Sequence, residues 1–201
     1  MAYNITVANL IAGAIEVWEA PTGESLPDFD NIAPPGIVTP APSGNWVETG
    51  STMEEFNLVY TPTYTKIAIN EVAAAPAQVL VEEELEFSYT LAEDDLTNWK
   101  GSINAATFGT TAAGADQTAQ DELIVGSGTP SVRALLLLGT NAEGGSRIVH
   151  IFRAQQTGPS DWARSREHQG RAVTWSGLAD VSKAAGQNLF KCYDITAAAA
   201  S

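Results

Sequence analysis

Basic side chains are scarce in this chain: ten Lys plus Arg stand against 24 Asp plus Glu in 201 residues, a formal net charge of −14. A chain so acidic does not grip nucleic acid by counterion release, which excludes a sequence-reading DNA binder. Cysteine occurs once, so no internal disulfide can form. Cys192 also has no Cys or His neighbour at ligand spacing for a zinc site, and it is expected as a structural residue of the last strand. Histidine occurs twice, although a hydrolase needs a nucleophile with a base in reach. His150 falls in a strand pattern between Ile148 and Phe152, the place of a core or interface histidine, and His168 lies in the solvated stretch SREHQG. Phosphate-cradling glycine motifs are missing as well, because GTTAAG and GSGTP lack both the lysine and the strand-to-helix context. The close carboxylates Glu82, Glu84, Asp94 and Asp95 could serve glycoside chemistry, but they alternate along a strand or cap a helix. No enzyme, cofactor or metal is expected. No run reaches the 18 apolar residues of a membrane span, and MAYNITVANL lacks the basic start and apolar block of a signal peptide. The expectation is a soluble protein made in a cytoplasm, without a membrane span.

What is present suits one domain with an arm, at roughly 150 residues per domain. Hydrophobic residues reach 44% and charged ones only 17%, enough to bury a sizeable core. Charge is unevenly spread: residues 1–132 hold 2 basic and 19 acidic side chains, and residues 133–201 hold 8 and 5. The two parts should attract each other, or each other's copies. Ile15, Val17 and Trp18 suit a strand, after which six prolines from Pro21 to Pro42 forbid a helix or central strand through residue 44. An excursion that long is either a solvated loop or a segment holding something outside its own domain. The domain reading is therefore 1–44 as N-terminal strand and Pro-rich arm or loop, 45–195 as the β domain, and 196–201 as an Ala-rich tail.

From residue 45 the pattern is β-rich. Phe56, Leu58 and Tyr60 alternate with Asn57, Val59 and Thr61, and β-formers continue past Pro62 to Val72, as two strands or one kinked at the proline. In VLVEEELEFSYTL, residues 79–91, Val79, Val81, Leu85, Phe87, Tyr89 and Leu91 share the expected core face. Leu80, Glu82, Glu84, Glu86, Ser88 and Thr90 share a wet, acidic one, and Glu83 breaks the rule, as a nearby bulge would explain. Thr90 and Glu93 form a capping box for a helix over 92–100, with Leu96, Trp99 and Ile103 docking on the sheet and Gly101 as the stop. INAATFGTTAAGADQTAQ reads as a loop. Residues 123–125, 132–138 and 147–152 read as strands, with NAEGG turning between the last two. Residues 171–178 and 189–195 read as the closing pair. The fold class is mainly β with one short flanking helix.

The segment Trp46, Val47, Glu48, Thr49, Gly50, Ser51, Thr52, the β pair after it, Pro76, the acidic strand and LAEDDLTNW resemble the tail tube (major tail) proteins of long-tailed bacteriophages. Residues 172–180 and 189–195 are similar to that family's closing strand, short turn and last strand. The resemblance spans about residues 14–195 and rests on order and spacing. The Pro-rich stretch and residues 157–170 have no counterpart in it. It implies a β-sandwich or split barrel and a structural virion protein, assembled in the host cytoplasm. Its subunits would form rings, typically of six, stacked into the conduit for DNA ejection. The implied partners are further copies, tape measure and tail terminator proteins, and double-stranded DNA passing without specific binding. A β-sandwich adhesin or carbohydrate-binding module is the main alternative, and a small β-rich enzyme the third.

Residue-level expectations follow from that reading. Glu82, Glu84 and Glu86, with Ser88 and Thr90, are expected to line the lumen, because DNA carries one charge per roughly 1.7 Å and a basic wall would hold it; the alternative is an acidic strand face on the outside of the domain. The apolar run from Val132 to Leu138 is expected either as a core strand or as an edge pairing between copies. Arg147, Arg153, Arg164, Arg166 and Arg171 crowd into 25 positions. They are expected at contacts between stacked rings, opposite an acidic surface around Asp28, Asp30, Glu54 and Glu55.

Overall fold

The computed structural model describes residues 15–26, 32–33, 37–38, 44–50, 52–67, 77–92, 96–104, 106–126, 128–140, 146–160 and 170–195. The chain is mainly β, with antiparallel pairing throughout and one short helix among the described residues. In chain order the strands are β1 (Glu16–Pro21), β2 (Ile32–Ala33), β3 (Ile37–Val38), β4 (Val47–Glu48), β5 (Thr52–Ile67) and β6 (Ala77–Leu91). After helix α1 (Leu96–Gly101) come β7 (Thr107–Thr111), β8 (Gln120–Ile124), β9 (Arg133–Thr140), β10 (Ser146–Gln156), β11 (Arg171–Gly177) and β12 (Phe190–Ile195). The main sheet runs β4-β1-β9-β10-β11-β6-β5, while β2 pairs with β3 and β7 with β8.

This sheet curls back on itself. Its end strands are joined by a few residues of chain: β4 pairs with β1, Thr49 donates its backbone N–H to Val17 (2.9 Å), and the Thr52 hydroxyl donates to the Ile15 carbonyl (2.6 Å). Gly50 makes the bend between β4 and β5 at φ 98°, a left-handed conformation that glycine adopts without a Cβ penalty. The W-x-x-x-G-x-T segment is thus the latch, with the Trp46 indole N–H also held by the Ser25 carbonyl at 2.9 Å.

Inside the curl lies the main core, built from Val17, Leu85, Phe87, Tyr89, Leu91, Leu135, Leu137, Ile151, Ala154, Val173 and Trp175. Phe87 stacks between Tyr89 and Trp175, with ring centroids 6.0 Å from each. Gly177 lets β11 approach β6 so closely that an added Cβ would stand 2.8 Å from the Leu85 Cβ. A second cluster, Trp18, Ala20, Trp46, Ala134, Leu136, Leu138 and Ile148, covers the outer face of β1, β9 and β10. β9 is therefore buried on both faces and paired on both edges, with β1 and β10, which makes its apolar run a core strand. That excludes its edge role.

Several expectations change here. β5 is a single strand that carries Pro62 opposite Glu83. Proline is tolerated because no strand pairs with the far edge of β5 among the described residues. β11 and β12 do not pair with each other; the long edge of β10 takes β12 along Ser146–Ile151 and β11 along Ala154–Gln156, so the sheet forks there. The supposed loop after α1 contains β7, hidden because Thr, Phe and Gly in TFGTT give no apolar alternation. The helix holds Gly101 as its last residue instead of stopping before it. Leu96, Trp99 and Ile103 are half-buried. Trp99 docks through its indole N–H on the Ser160 hydroxyl (3.2 Å) and under the Arg171 guanidinium, 4.9 Å from the ring. Glu93, Asp94, Asp95 and the NAEGG turn lie outside the described residues.

Candidate functional site

Strands β5 and β6 are 16 and 15 residues long, about three times the usual strand. Only their inner ends reach the core. On β6 the expected apolar face holds from Leu85 to Leu91, all buried at the odd positions, but Val79 and Val81 are 50% and 63% exposed. They leave the core because β5 and β6 run on together past the curl, from Tyr60 opposite Leu85 to Ile67 opposite Ala77; Phe190 of β12 meets Tyr60 edge-on at the base, and beyond it both strands are exposed apart from half-buried Pro62. The result is a two-stranded arm with Tyr64, Ile67, Val79, Leu80 and Val81 all exposed. The register shifts between Thr63 and Tyr64, opposite Leu80 to Glu82, which places the irregularity within a few residues of Glu83. Glu83 itself accepts a hydrogen bond from the Tyr60 hydroxyl across the arm. The same carboxylate raises the Tyr60 pKa.

The predicted lumen residues divide along this line. Glu86, Ser88 and Thr90 lie on the outer face of the curled wall, opposite the side of Leu85, Phe87 and Tyr89, and are paired on both sides by β5 and β11. Glu82 and Glu84 stand on the arm, exposed to solvent. The sequence periodicity brought all five together, but the end of the core separates them.

The arginines are also dispersed. Arg147 forms a bidentate pair with Asp194, both bonds 2.7 Å, across the β10–β12 ladder. That holds the Asp194 carboxyl below its ordinary range, chiefly through the hydrogen bonds from Arg147. Arg153 donates to the Ala179 carbonyl (3.3 Å), and Arg171 is buried against Trp99. Arg164, Arg166, His168, Asp28 and Asp30 lie outside the described residues, as do the side chains of Glu54 and Glu55.

Three groups escaped sequence reasoning. Glu19 shares the inner face of β1 with Val17; burial raises its pKa, partly offset by Arg133 and Lys100. The Tyr89 hydroxyl near it is pushed up to about 12, mainly by burial. Gln156, also buried, ties α1 to β10: its amide donates to the Ser102 (2.6 Å) and Gly158 (2.9 Å) carbonyls and its oxygen accepts from Asn104 N–H (2.8 Å). A lone Gln ending a strand gives no sequence signal for that role. His150 is buried as expected, edge-on to Trp46 and Phe152. Desolvation, with Lys183 and Lys191 nearby, lowers its pKa to about 4. Cys192 lies in the last strand as expected, but exposed.

Among the described residues no group of His, Cys, Asp and Glu could hold a metal, and no helix is long and apolar enough to cross a membrane. The chain matches no protein-family model and shows no significant similarity to a curated protein.

Proposed function

We propose that this protein is a structural virion subunit that polymerises as stacked, six-membered rings into the tail tube of a long-tailed bacteriophage, the conduit for DNA ejection. The observation that carries this reading is the β5–β6 arm. A chain that buries Phe87 and Trp175 completely enough to form a close-packed core nevertheless leaves six large apolar or aromatic side chains, Tyr60 with the five named above, exposed on one hairpin. Exposed apolar surface gathered in one place is what an obligate partner covers. Among the described residues no strand pairs with the far edge of β5, and such an edge pairs readily with another chain.

The curled wall offers the second element. Glu86, Ser88 and Thr90 give one outer face that is acidic and polar, suited to a passage along which phosphate is repelled and water retained. Tape measure and tail terminator proteins would be the further partners, with the virion as the location and the host cytoplasm as the place of assembly. The sheet's closure and its flanking helix agree with a split barrel of the tail tube type. The carbohydrate-module alternative is less well served: Trp18, Trp46 and Trp175 are buried and Trp99 is half-buried, so none of these four forms an open stacking platform. Negative-stain imaging of the purified protein tests the proposal. Rings or hollow tubes are expected, and particles that stay single at every concentration and salt would contradict it.

A further inference from the structure

A cleft of about 720 Å³ opens on the flank of the molecule, between the 23–26 segment and the loop leading into β12. Its lining combines aromatic and cationic groups: Phe152, Phe190 and Tyr193 with Lys183 and Lys191. Each lysine lies over a ring, Lys183 at 5.3 Å from Phe152 and Lys191 at 4.6 Å from Tyr193. These are two of only four lysines in the chain. The one acid in the lining, Glu24, is turned to Asn45, which donates to it at 2.9 Å. In a protein of net charge −14 this cleft is a local positive site.

No ion pair joins Lys183 or Lys191 to a carboxylate among the described residues, where the one such bridge is Arg147–Asp194. The same chain carries the complementary surface. On the outer half of β6, Glu82 and Glu84 project from one side about 7 Å apart; past the register shift the exposed Val79, opposite Thr65, lies on that same side, and the exposed Val81 sits at the shift between them. Resting on the assembly reading above, we infer that the cleft receives the outer half of β6 from a second copy, with Glu82 and Glu84 meeting Lys183 and Lys191 and the apolar residues covering the aromatic rings. Donor and acceptor surfaces are different patches, so the contact is head-to-tail and propagates from copy to copy. Opposite charges set its register, and the desolvated rings and aliphatic groups supply the attraction.

The test is a charge swap read by light scattering and negative stain, with thermal melting to confirm folding. Wild type is expected to assemble. Lys183→Glu with Lys191→Glu should slow assembly about tenfold or more, and so should Glu82→Lys with Glu84→Lys, each leaving the melting transition in place. The chain carrying all four substitutions should regain assembly. Should either double variant fail to fold, the other still reads the same contact. Undiminished assembly of a folded double variant would overturn the inference while leaving the tube reading intact. A wild type that never assembles would overturn both.

Discussion

Strand β6 passes through two environments within fifteen residues. From Leu85 to Leu91 its alternate side chains are buried in a core shared with β1, β9, β10 and β11, and from Ala77 to Glu84 every one is exposed. The inner half alternates strictly, whereas in the outer half Val79, Leu80 and Val81 run together and the register shift before Glu82 turns Val79 to the side opposite Leu85; among the described residues no second layer receives either face there. Alternation therefore reports that a strand has two unlike faces, not that either face is covered within its own chain. The covered half makes the domain stable, and the uncovered half is where a partner is needed.

That contrast can be tested by substitution. Phe87→Ala, at the centre of the inner ring stack, should cost about 3–5 kcal/mol in denaturant unfolding. Leu80→Ala, seven positions earlier on the arm, should change stability by no more than about 0.5 kcal/mol. Equal costs at the two sites would erase the distinction.

The outer cluster should lose stability in acid through His150. The unfolded chain protonates His150 near pH 6.5, whereas the folded protein resists until about pH 4. A depressed folded pKa gives stability that is whole above pH 6.5 and is lost as the pH falls, about 3 kcal/mol by pH 4. Unfolding free energies of wild type and His150→Leu should therefore converge or cross between pH 7 and pH 4. A difference that stays constant would mean the imidazole is solvated.

Smaller effects are expected further from both cores. Trp99→Ala should cost about 2 kcal/mol, short of the value for full burial, because its ring is half-buried and its indole N–H bonds Ser160. Arg147→Ala should cost only about 0.5 kcal/mol and lose that effect in salt, since its pair with Asp194 is solvent-exposed. A cost several times larger would mean the β10–β12 edge depends on that pair.

Much of the fold was legible because its signals are local. The strands at β1, β6, β9, β10, β11 and β12 announce themselves by alternation or apolar runs, and the W-x-x-x-G-x-T segment by its glycine. Pairing was not legible, since nothing in residues 171–195 says that β10 would accept both β11 and β12 along one edge. β7 carries too few apolar residues to alternate. For the candidate site, the acidic face of β6 could be read directly, but not the point at which the core ends beneath it. The cleft lysines were invisible because Lys183 and Lys191 acquire meaning only when the β12 loop faces the 23–26 segment. In the sequence they only add to the basic excess of residues 133–201.

The central claim is that the β5–β6 arm is the surface a second copy covers. Amide hydrogen exchange followed by peptide on the unassembled and the assembled protein tests it most directly. Residues 60–67 and 77–84 should exchange quickly in the free subunit and gain strong protection on assembly, while Leu135–Leu138 and Phe87–Leu91 stay slow in both. Arm amides that exchange equally fast in both states would contradict it.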